Sequence, residues 1–318
     1  MGDRLKGKVA VVTGSGGGIG RGIAIALAEE GAKVVVNDLG GARDGTGAST
    51  SPADEVIAEI KAKGGEAVAN YDSVATVEGG QNIIQTAVDK FGKIDILVNN
   101  AGILRDRMVF NMTPEEWDAV LKVHLYGTFN CTKPASVLMR QQRSGRIISM
   151  TSTSGITGNA GQANYGAAKA GIAGFTRVIA RDLGRYGVTA NAIAPTAATR
   201  MTVSPEMEEA ARRRAGRAVA GGQPAAAPRP APAGMGMGLP APEDVAPLVV
   251  FLSTDAAANI NGCIFGARGG TIDLYPHLVP IKSIFKQGRW TLDELLRIIP
   301  TTLAVGLVNP APPEPPKQ

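Results

Sequence analysis

Cysteine is nearly absent from this sequence: Cys131 and Cys263 are the two in 318 residues. Two thiols make neither a disulfide framework nor a cysteine-built metal cluster, so structural disulfides and cysteine-based zinc or thiol-redox chemistry drop out, and both read as buried free thiols. Aromatic residues are scarce at 4%, and the one tight basic run, Arg212-Arg213-Arg214, has no aromatic interleaved with it. That speaks against nucleic acid as a partner. No stretch approaches the ~18 apolar residues of a membrane span, and Met1-Gly2-Asp3-Arg4-Leu5-Lys6 lacks the apolar run of a secretion signal. The expectation is a cytoplasmic protein without membrane contact. Charge is close to balanced, and the diffuse net +5 suits a phosphorylated small molecule as well as any larger anionic partner.

What is there is glycine, 41 residues, and proline, 20, set as punctuation between short β-branched runs and longer helical stretches. The strand-like runs are Val9 to Thr13, Lys33 to Asn37, Ala67 to Tyr71, Ile94 to Val98, Arg146 to Ser149, Val188 to Ile193 and Gly262 to Phe265. Helical segments alternate with them, Gly20 to Glu30, Pro52 to Lys63 and Gly79 to Phe91, each stopped by glycine. This alternation predicts an α/β fold of Rossmann type, a doubly wound seven-stranded parallel sheet with helices on both faces. The catalytic domain is expected over residues 1–270, interrupted by an Ala/Gly/Pro-rich insertion at 215–242 that reads as flexible, a lid or a linker. Pro242-Glu243-Asp244 opens a further helix through Leu252. Residues 271–318 read as a C-terminal extension beyond the last strand, ordered through Gly306 and frayed at its Pro-rich end.

The first strand runs into Thr13-Gly14-Ser15-Gly16-Gly17-Gly18-Ile19-Gly20, which opens a helix. Glycines let the backbone approach a pyrophosphate, and the helix N-terminus offers free N–H groups and a positive dipole end. The spacing is G-x-x-x-G-x-G, with no register that satisfies G-x-G-x-x-G, so the loop candidates are Gly14, Gly18, Ile19 and Gly20. Asp38 ends the second strand, where a carboxylate accepts from a ribose 2′-OH and repels a 2′-phosphate. No Lys or Arg lies within the loop or directly follows Asp38, so NAD is expected as the cofactor over NADP. Farther along, Tyr165 and Lys169 lie four residues apart, on one face of a small-residue helix. A nearby ammonium stabilises a phenolate and makes tyrosine a usable general base. Ser152, at the end of the preceding strand, is placed to bind the reacting oxygen. Each of these has a plainer reading alone, since glycine also makes ordinary turns and Ser-Thr-Ser is common loop material. Their order along one nucleotide-type chain is what points to catalysis.

Together with Asp72, Asn99-Asn100-Ala101-Gly102 and Asn191 to Pro195, these residues resemble the short-chain dehydrogenases/reductases over roughly residues 5 to 270. The resemblance implies that Tyr165 exchanges the substrate hydroxyl proton, that Lys169 also binds the nicotinamide ribose, and that Ser152 orients the substrate. It places Asp72, with Ser73, at the adenine and Asn99, with Ala101 and Gly102, beside the adenosine ribose. Pro195 and Thr199 fall on the nicotinamide side. Longer strings, Val36-Asn37-Asp38-Leu39-Gly40-Gly41, Ala69 to Val74, Gly102 to Arg107 and Gly161 to Tyr165, are similar to the (3R)-hydroxyacyl-CoA dehydrogenase domains of peroxisomal multifunctional β-oxidation enzymes. The implied reaction is NAD-dependent oxidation of a (3R)-3-hydroxyacyl-CoA, fatty acyl or steroid side-chain, by a stand-alone bacterial-type homodimer or homotetramer. Alternatives are a 17-hydroxysteroid dehydrogenase, a 3-oxoacyl-carrier-protein reductase or a silent NAD-binding scaffold. Arg105, Arg107 and Arg212 to Arg214 are candidate partners for the CoA phosphates.

Three departures from the family pattern stand out. Val123-His124-Leu125 occupies the place where the family usually has Asn, whose usual role is to help hold a water beside the catalytic lysine. His124 either takes that role, as a fourth catalytic candidate, or is a packed histidine. Thr196 follows Pro195 where Gly is usual, and the insertion falls where the substrate-covering segment ends.

Overall fold

The computed structural model describes residues 2–197, 240–308 and 310. Strand β1 (Val9–Thr13) leads through α1 (Gly18–Glu29) to β2 (Lys33–Asn37), α2 (Ser51–Ala62), β3 (Glu66–Asn70), α3 (Val77–Phe91) and β4 (Ile96–Asn99). The second half runs α4 (Pro114–Leu121), a π turn (Lys122–Tyr126), α5 (Gly127–Gln142), β5 (Gly145–Met150), α6 (Thr153–Ile156), α7 (Ala163–Gly184) and β6 (Val188–Pro195). After the undescribed stretch come α8 (Ala246–Ser253), β7 (Ile264–Arg268), β8 (Thr271–Tyr275) and α9 (Leu292–Ile298). The insertion expected at 215–242 lies outside the described residues except for its last three.

The strands form one sheet in the order β3-β2-β1-β4-β5-β6-β7-β8. The first seven are parallel, as the sequence predicts, and the eighth is not foreseen. Thr271–Tyr275 folds back across Gly269-Gly270 and pairs antiparallel with β7, Ile264 opposite Tyr275 and Arg268 opposite Thr271. The sheet therefore passes residue 270, and the first compact unit spans Met1–Tyr275. Among its residues Ile272 and Leu274 are exposed, so β8 lacks the continuous apolar run that marks a strand buried on both faces.

Alternation along the strands builds two cores. Ala10, Val12, Val34 and Val36 face α1, α2 and α8, where Ile23, Leu27, Ile60 and Val249 meet them. Val9, Val11, Val35 and Leu97 face the other layer, with Ile83, Ala87, Met139 and Leu183. Each such aliphatic side chain taken from water contributes about 1.5–3 kcal/mol, and truncating one to Ala costs about 2–5 kcal/mol. Asp95 joins the start of β1 to the start of β4: its Oδ2 accepts from Val9 N–H at 2.8 Å. Strand order reverses between β1 and β4, so the crevice beyond their carboxyl ends is where such a sheet takes a ligand.

The second unit, Pro276–Gln318, carries α9 with a capping box between Thr291 and Glu294 and an ion pair from Lys286 to Glu294 at 2.6 Å. No helix among the described residues is long and apolar enough to cross a membrane.

Candidate active site

The glycine loop and the segment after β4 lock together. Asn100 donates from its amide to Thr13 O at 3.0 Å and Gly14 O at 2.8 Å. In return, Thr13 Oγ1 accepts from Asn100 N–H at 3.0 Å and Ala101 N–H at 3.1 Å. A methyl group on Gly20 would overlap Gly14 O and Asn100 Nδ2, so only glycine lets α1 begin this close to the loop. Gly17, the residue that precedes α1, has no side chain to cap it, and the first N–H groups of the helix stay free for an anion. Ile19 is half-buried and packs on the α1 side of the core.

Asp38 closes the other side of the loop. Its Oδ2 accepts from Gly16 N–H and its Oδ1 from Gly40 N–H, both at 2.7 Å. Beyond it Asn37 donates to Asn70 Oδ1 at 2.9 Å and Asp72 O at 2.9 Å, and Asn70 donates to Asp72 Oδ2 at 2.7 Å. Ser73 turns the chain into α3, its Oγ accepting from Ala75 N–H at 3.3 Å. Loop, Asp38, Asp72 and Ser73 thus follow one another along the carboxyl edge of β1, β2 and β3.

The side chain of Asn99 goes elsewhere. It lies buried and donates to Thr132 Oγ1 at 3.0 Å and Ser149 Oγ at 3.2 Å, while its Oδ1 has no partner. Asn100, which the sequence argument passed over, is the residue that reaches the loop. The signal was present in the Asn-Asn-Ala-Gly string, but which of two adjacent side chains faces the loop depends on the phase of β4 at its last residue.

On the opposite side of the crevice, β5 delivers Ser152 and α7 delivers Tyr165 and Lys169. Thr151 Oγ1 donates to Lys169 O at 2.8 Å, and Lys169 Nζ donates to Met150 O at 2.6 Å. That pair of bonds ties the start of α7 to the end of β5. Ser152 Oγ accepts from Ser154 N–H at 3.2 Å. Lys169, 3% exposed, lies with Nζ 5.4 Å from the centre of the Tyr165 ring. Burial pulls the lysine down to about 7. Burial also pushes the Tyr165 phenol up, the Ser152 hydroxyl working against it and the charge of Asp106 with it. The sequence argument expected the ammonium to dominate the phenol; burial is the largest influence on it, because the phenol loses more water than it gains in partners.

Asn164, fully buried, aims Tyr165. Its Oδ1 accepts from Tyr165 N–H at 2.7 Å and its amide donates to Arg105 O at 2.9 Å and Glu116 O at 3.1 Å. The same strap runs from Gln162 Nε2 to Asp106 Oδ2 at 3.0 Å. It was missed because these partners lie 48 residues or more apart in the chain. Arg107 pairs with Glu116 at 2.9 Å and Arg105 donates to Asp44 O at 2.9 Å, so both are engaged within the fold. Arg212 to Arg214 and Thr199 lie outside the described residues; Pro195 is the last residue of β6.

His124 sits in the π turn between α4 and α5. Its ring meets Tyr165 edge-on, centroids 5.1 Å apart at 86°, in space that a side chain at Gly102 would fill.

The sequence pattern of the short chain dehydrogenase family matches residues 8–210. The chain belongs to this family. As a short-chain dehydrogenase it is an oxidoreductase, of a kind that works with NAD(P). It is 52% identical over 199 residues to the mouse peroxisomal multifunctional enzyme type 2, a match covering 63% of this chain and 27% of that one. A hydroxyacyl-CoA dehydrogenase of Mycobacterium tuberculosis is 42% identical over 86% of this chain and 82% of its own length. A 3-oxoacyl-[acyl-carrier-protein] reductase of Synechocystis is 44% identical over 84% and 98%. The crystal structure of a short chain dehydrogenase from Mycobacterium avium superposes with a TM-score of 0.77 at 43% identity, covering 94% of this chain and 96% of that one.

Proposed function

We propose that this short-chain dehydrogenase oxidises the 3-hydroxyl of a (3R)-3-hydroxyacyl-CoA to the 3-oxo group, with NAD as its cofactor. The observation that carries the reading is the pairing, across one crevice, of an Asp38-closed glycine loop with the buried Ser152 and Lys169 and the half-buried Tyr165. The loop fits a dinucleotide, because free helix N–H groups, a glycine floor and a strand-end carboxylate are what a pyrophosphate and a ribose diol need. Gly14, Gly18, Ile19 and Gly20 would hold the pyrophosphate, Asp38 the ribose, and Asp72 with Ser73 the adenine end. Ala101, Gly102, Pro195 and Thr199 are assigned to the remaining cofactor contacts, Asn99 by its backbone alone since its side chain is held by Thr132 and Ser149, with Asn100 as the brace of the loop.

Bound NAD supplies the acceptor for the hydride that leaves C3. Tyr165, as phenolate, takes the hydroxyl proton; Ser152 holds the same oxygen; Lys169 supplies the positive charge that makes the phenolate accessible. A secondary alcohol thus loses hydride and proton and becomes a ketone. Asp38 favours NAD because a 2′-phosphate would face a carboxylate already fixed by two N–H donors. The CoA ester is supported by the name of the Mycobacterium tuberculosis relative, and Arg105, bonded through Nε to Asp44 O, and Arg107, paired with Glu116, stay candidate partners for its phosphates alongside Arg212 to Arg214. Exposed Phe129 and Val137 on α5 and Val178 on α7 support a homodimer or homotetramer, which light scattering reads.

The test compares kcat/KM for one (3R)-3-hydroxyacyl group as its CoA ester and as a truncated thioester lacking the nucleotide, each with NAD and with NADP. The CoA ester with NAD should be fastest. Faster turnover of a free 17-hydroxysteroid, or NADPH-dependent reduction of a carrier-protein ester, would overturn the reading.

A further inference from the structure

Residues 39–49 join β2 to α2 as a closed surface loop. Its base is drawn together where Ser49 N–H donates to Leu39 O at 3.0 Å, an approach so tight that a side chain at Gly40 would overlap Ser49 O. Its tip is turned by the bond from Ala42 N–H to Thr46 O at 2.7 Å. Asp44 holds the same turn, its Oδ1 accepting from Thr46 N–H at 3.0 Å and from Thr46 Oγ1 at 2.7 Å. A loop whose ends meet and whose tip is bonded internally is a built element rather than slack chain, and such loops are frequently functional.

The tip is also bonded outward, to the segment after β4. Leu104 N–H donates to Arg43 O at 3.1 Å and Arg105 Nε donates to Asp44 O at 2.9 Å. Gly45 lies so near the buried Ile103 that a methyl group on it would come within 3.1 Å of the Ile103 Cδ1. The sheet order gives these bonds their meaning. Strand β1 lies between β2 and β4, so a chain that leaves β2 at Asp38 and is bonded to residues 103–105 spans the carboxyl end of β1. At that end is the glycine loop, with Asp38 on one side and Ala101 and Gly102 on the other, where the proposed function seats the pyrophosphate and ribose.

None of residues 39–49 is buried. Hydrogen bonds at the tip, not a packed core, hold the loop across the crevice. Segments with few buried apolar contacts open locally at low free energy, so the tip can lift while β2 and α2 stay folded.

We infer that residues 39–49 complete the cofactor site as a strap over the bound dinucleotide, latched by Leu104 and Arg105 to the carbonyls of Arg43 and Asp44, and that this latch opens before the cofactor leaves. The inference rests on the proposed function for the nature of the ligand. Its consequence is kinetic: closure adds a barrier to cofactor release, a step of the kind that limits turnover in many enzymes.

Two measurements test the strap, both without substrate. In the wild type, hydrogen exchange of the Leu104 amide reads the latch directly, and saturating NADH should slow it; unchanged exchange in the complex would overturn the inference. The second is the rate of NADH release, followed by stopped-flow fluorescence after mixing the complex with excess NAD. Arg105→Ala removes one latch bond, and Gly45→Val forces a branched side chain against Ile103 at a backbone φ of +86°. Each should speed release by about 10-fold, the worth of one hydrogen bond to a charged group, with the urea midpoint little changed because the loop buries no core. Release at the wild-type rate from either variant would overturn the strap while leaving the proposed function in place. If NADPH binds and NADH does not, the proposed cofactor fails and the same two measurements with NADPH judge the strap; binding of neither dinucleotide would remove both.

Discussion

Asp38 and Gly16 are joined by a 2.7 Å hydrogen bond from the Gly16 N–H to the aspartate Oδ2. The acid that closes β2 is thereby fixed to the loop that follows β1, and selection of the ribose and seating of the pyrophosphate become one structural unit. Asp38→Ser removes both the repulsion of a 2′-phosphate and this brace. The NAD-to-NADP ratio of kcat/KM should fall, and KM for NAD should rise about 10-fold or more, the loss of one charged hydrogen bond. A wild type that prefers NADP, or a variant with unchanged preference, would contradict the role of Asp38.

Tyr165 carries the acid–base step. Tyr165→Phe should lower turnover by ~10²–10⁴-fold while NAD still binds, measured by steady-state rates beside a cofactor titration. Because the base form is the phenolate and burial raises that phenol, oxidation should speed up as pH rises and the reverse reduction should slow. A flat profile, or near-normal turnover of the Phe variant, would remove Tyr165 from the mechanism.

Asn100 braces the loop through its amide. Asn100→Ala leaves Thr13 O and Gly14 O without these donors, which should cost about 1–3 kcal/mol in urea unfolding and weaken NAD binding. Asn99→Ala should destabilise the fold through Thr132 and Ser149 and leave cofactor affinity near wild type. Equal effects of the two variants on NAD would show that the division between the two asparagines is wrong.

Glu294 governs the start of α9. Lys286 and the Thr291 N–H hold its carboxyl at about 2, below its unfolded value. The stabilisation is therefore complete above the ordinary carboxylate range and is lost as pH falls toward 2. Hydrogen exchange of amides 292–299 should accelerate in acid in the wild type. In Glu294→Gln it should already be faster at neutral pH and change less on acidification; identical exchange in the two proteins would exclude the cap.

The seven parallel strands were legible because strands covered on both faces are rich in apolar residues: β1, β2 and β4 carry unbroken runs at Val9–Val12, Val34–Val36 and Ile96–Val98, while β5 and β6 keep apolar residues around Arg146, Ser149, Thr189 and Asn191. The glycine loop, Asp38, and the Tyr165 and Lys169 pair were legible for a related reason: each is a local pattern whose chemistry depends on spacing within one turn or one strand. Strand β8 escaped because an antiparallel edge strand needs only a partner, and Thr271–Tyr275 finds one in β7 while its own side chains stay largely exposed.

What the sequence by itself determined is the layered α/β architecture and the residue types at the reacting end of the crevice, set by periodicity and short-range spacing, with the family carried by the resemblance of its motif residues. What only the tertiary structure decided is how those residues are held. It gave the loop brace to Asn100, strapped Asn164 and Gln162 to the segment after β4, bonded Arg105 to Asp44 O and paired Arg107 with Glu116, and set an unpartnered His124 nitrogen beside Tyr165. The loop brace, the straps and the Arg105 bond join groups 48 residues or more apart in the chain. Such contacts arise when burial forces polar groups to find partners wherever the packed backbone brings them, and no local pattern in the sequence encodes that choice.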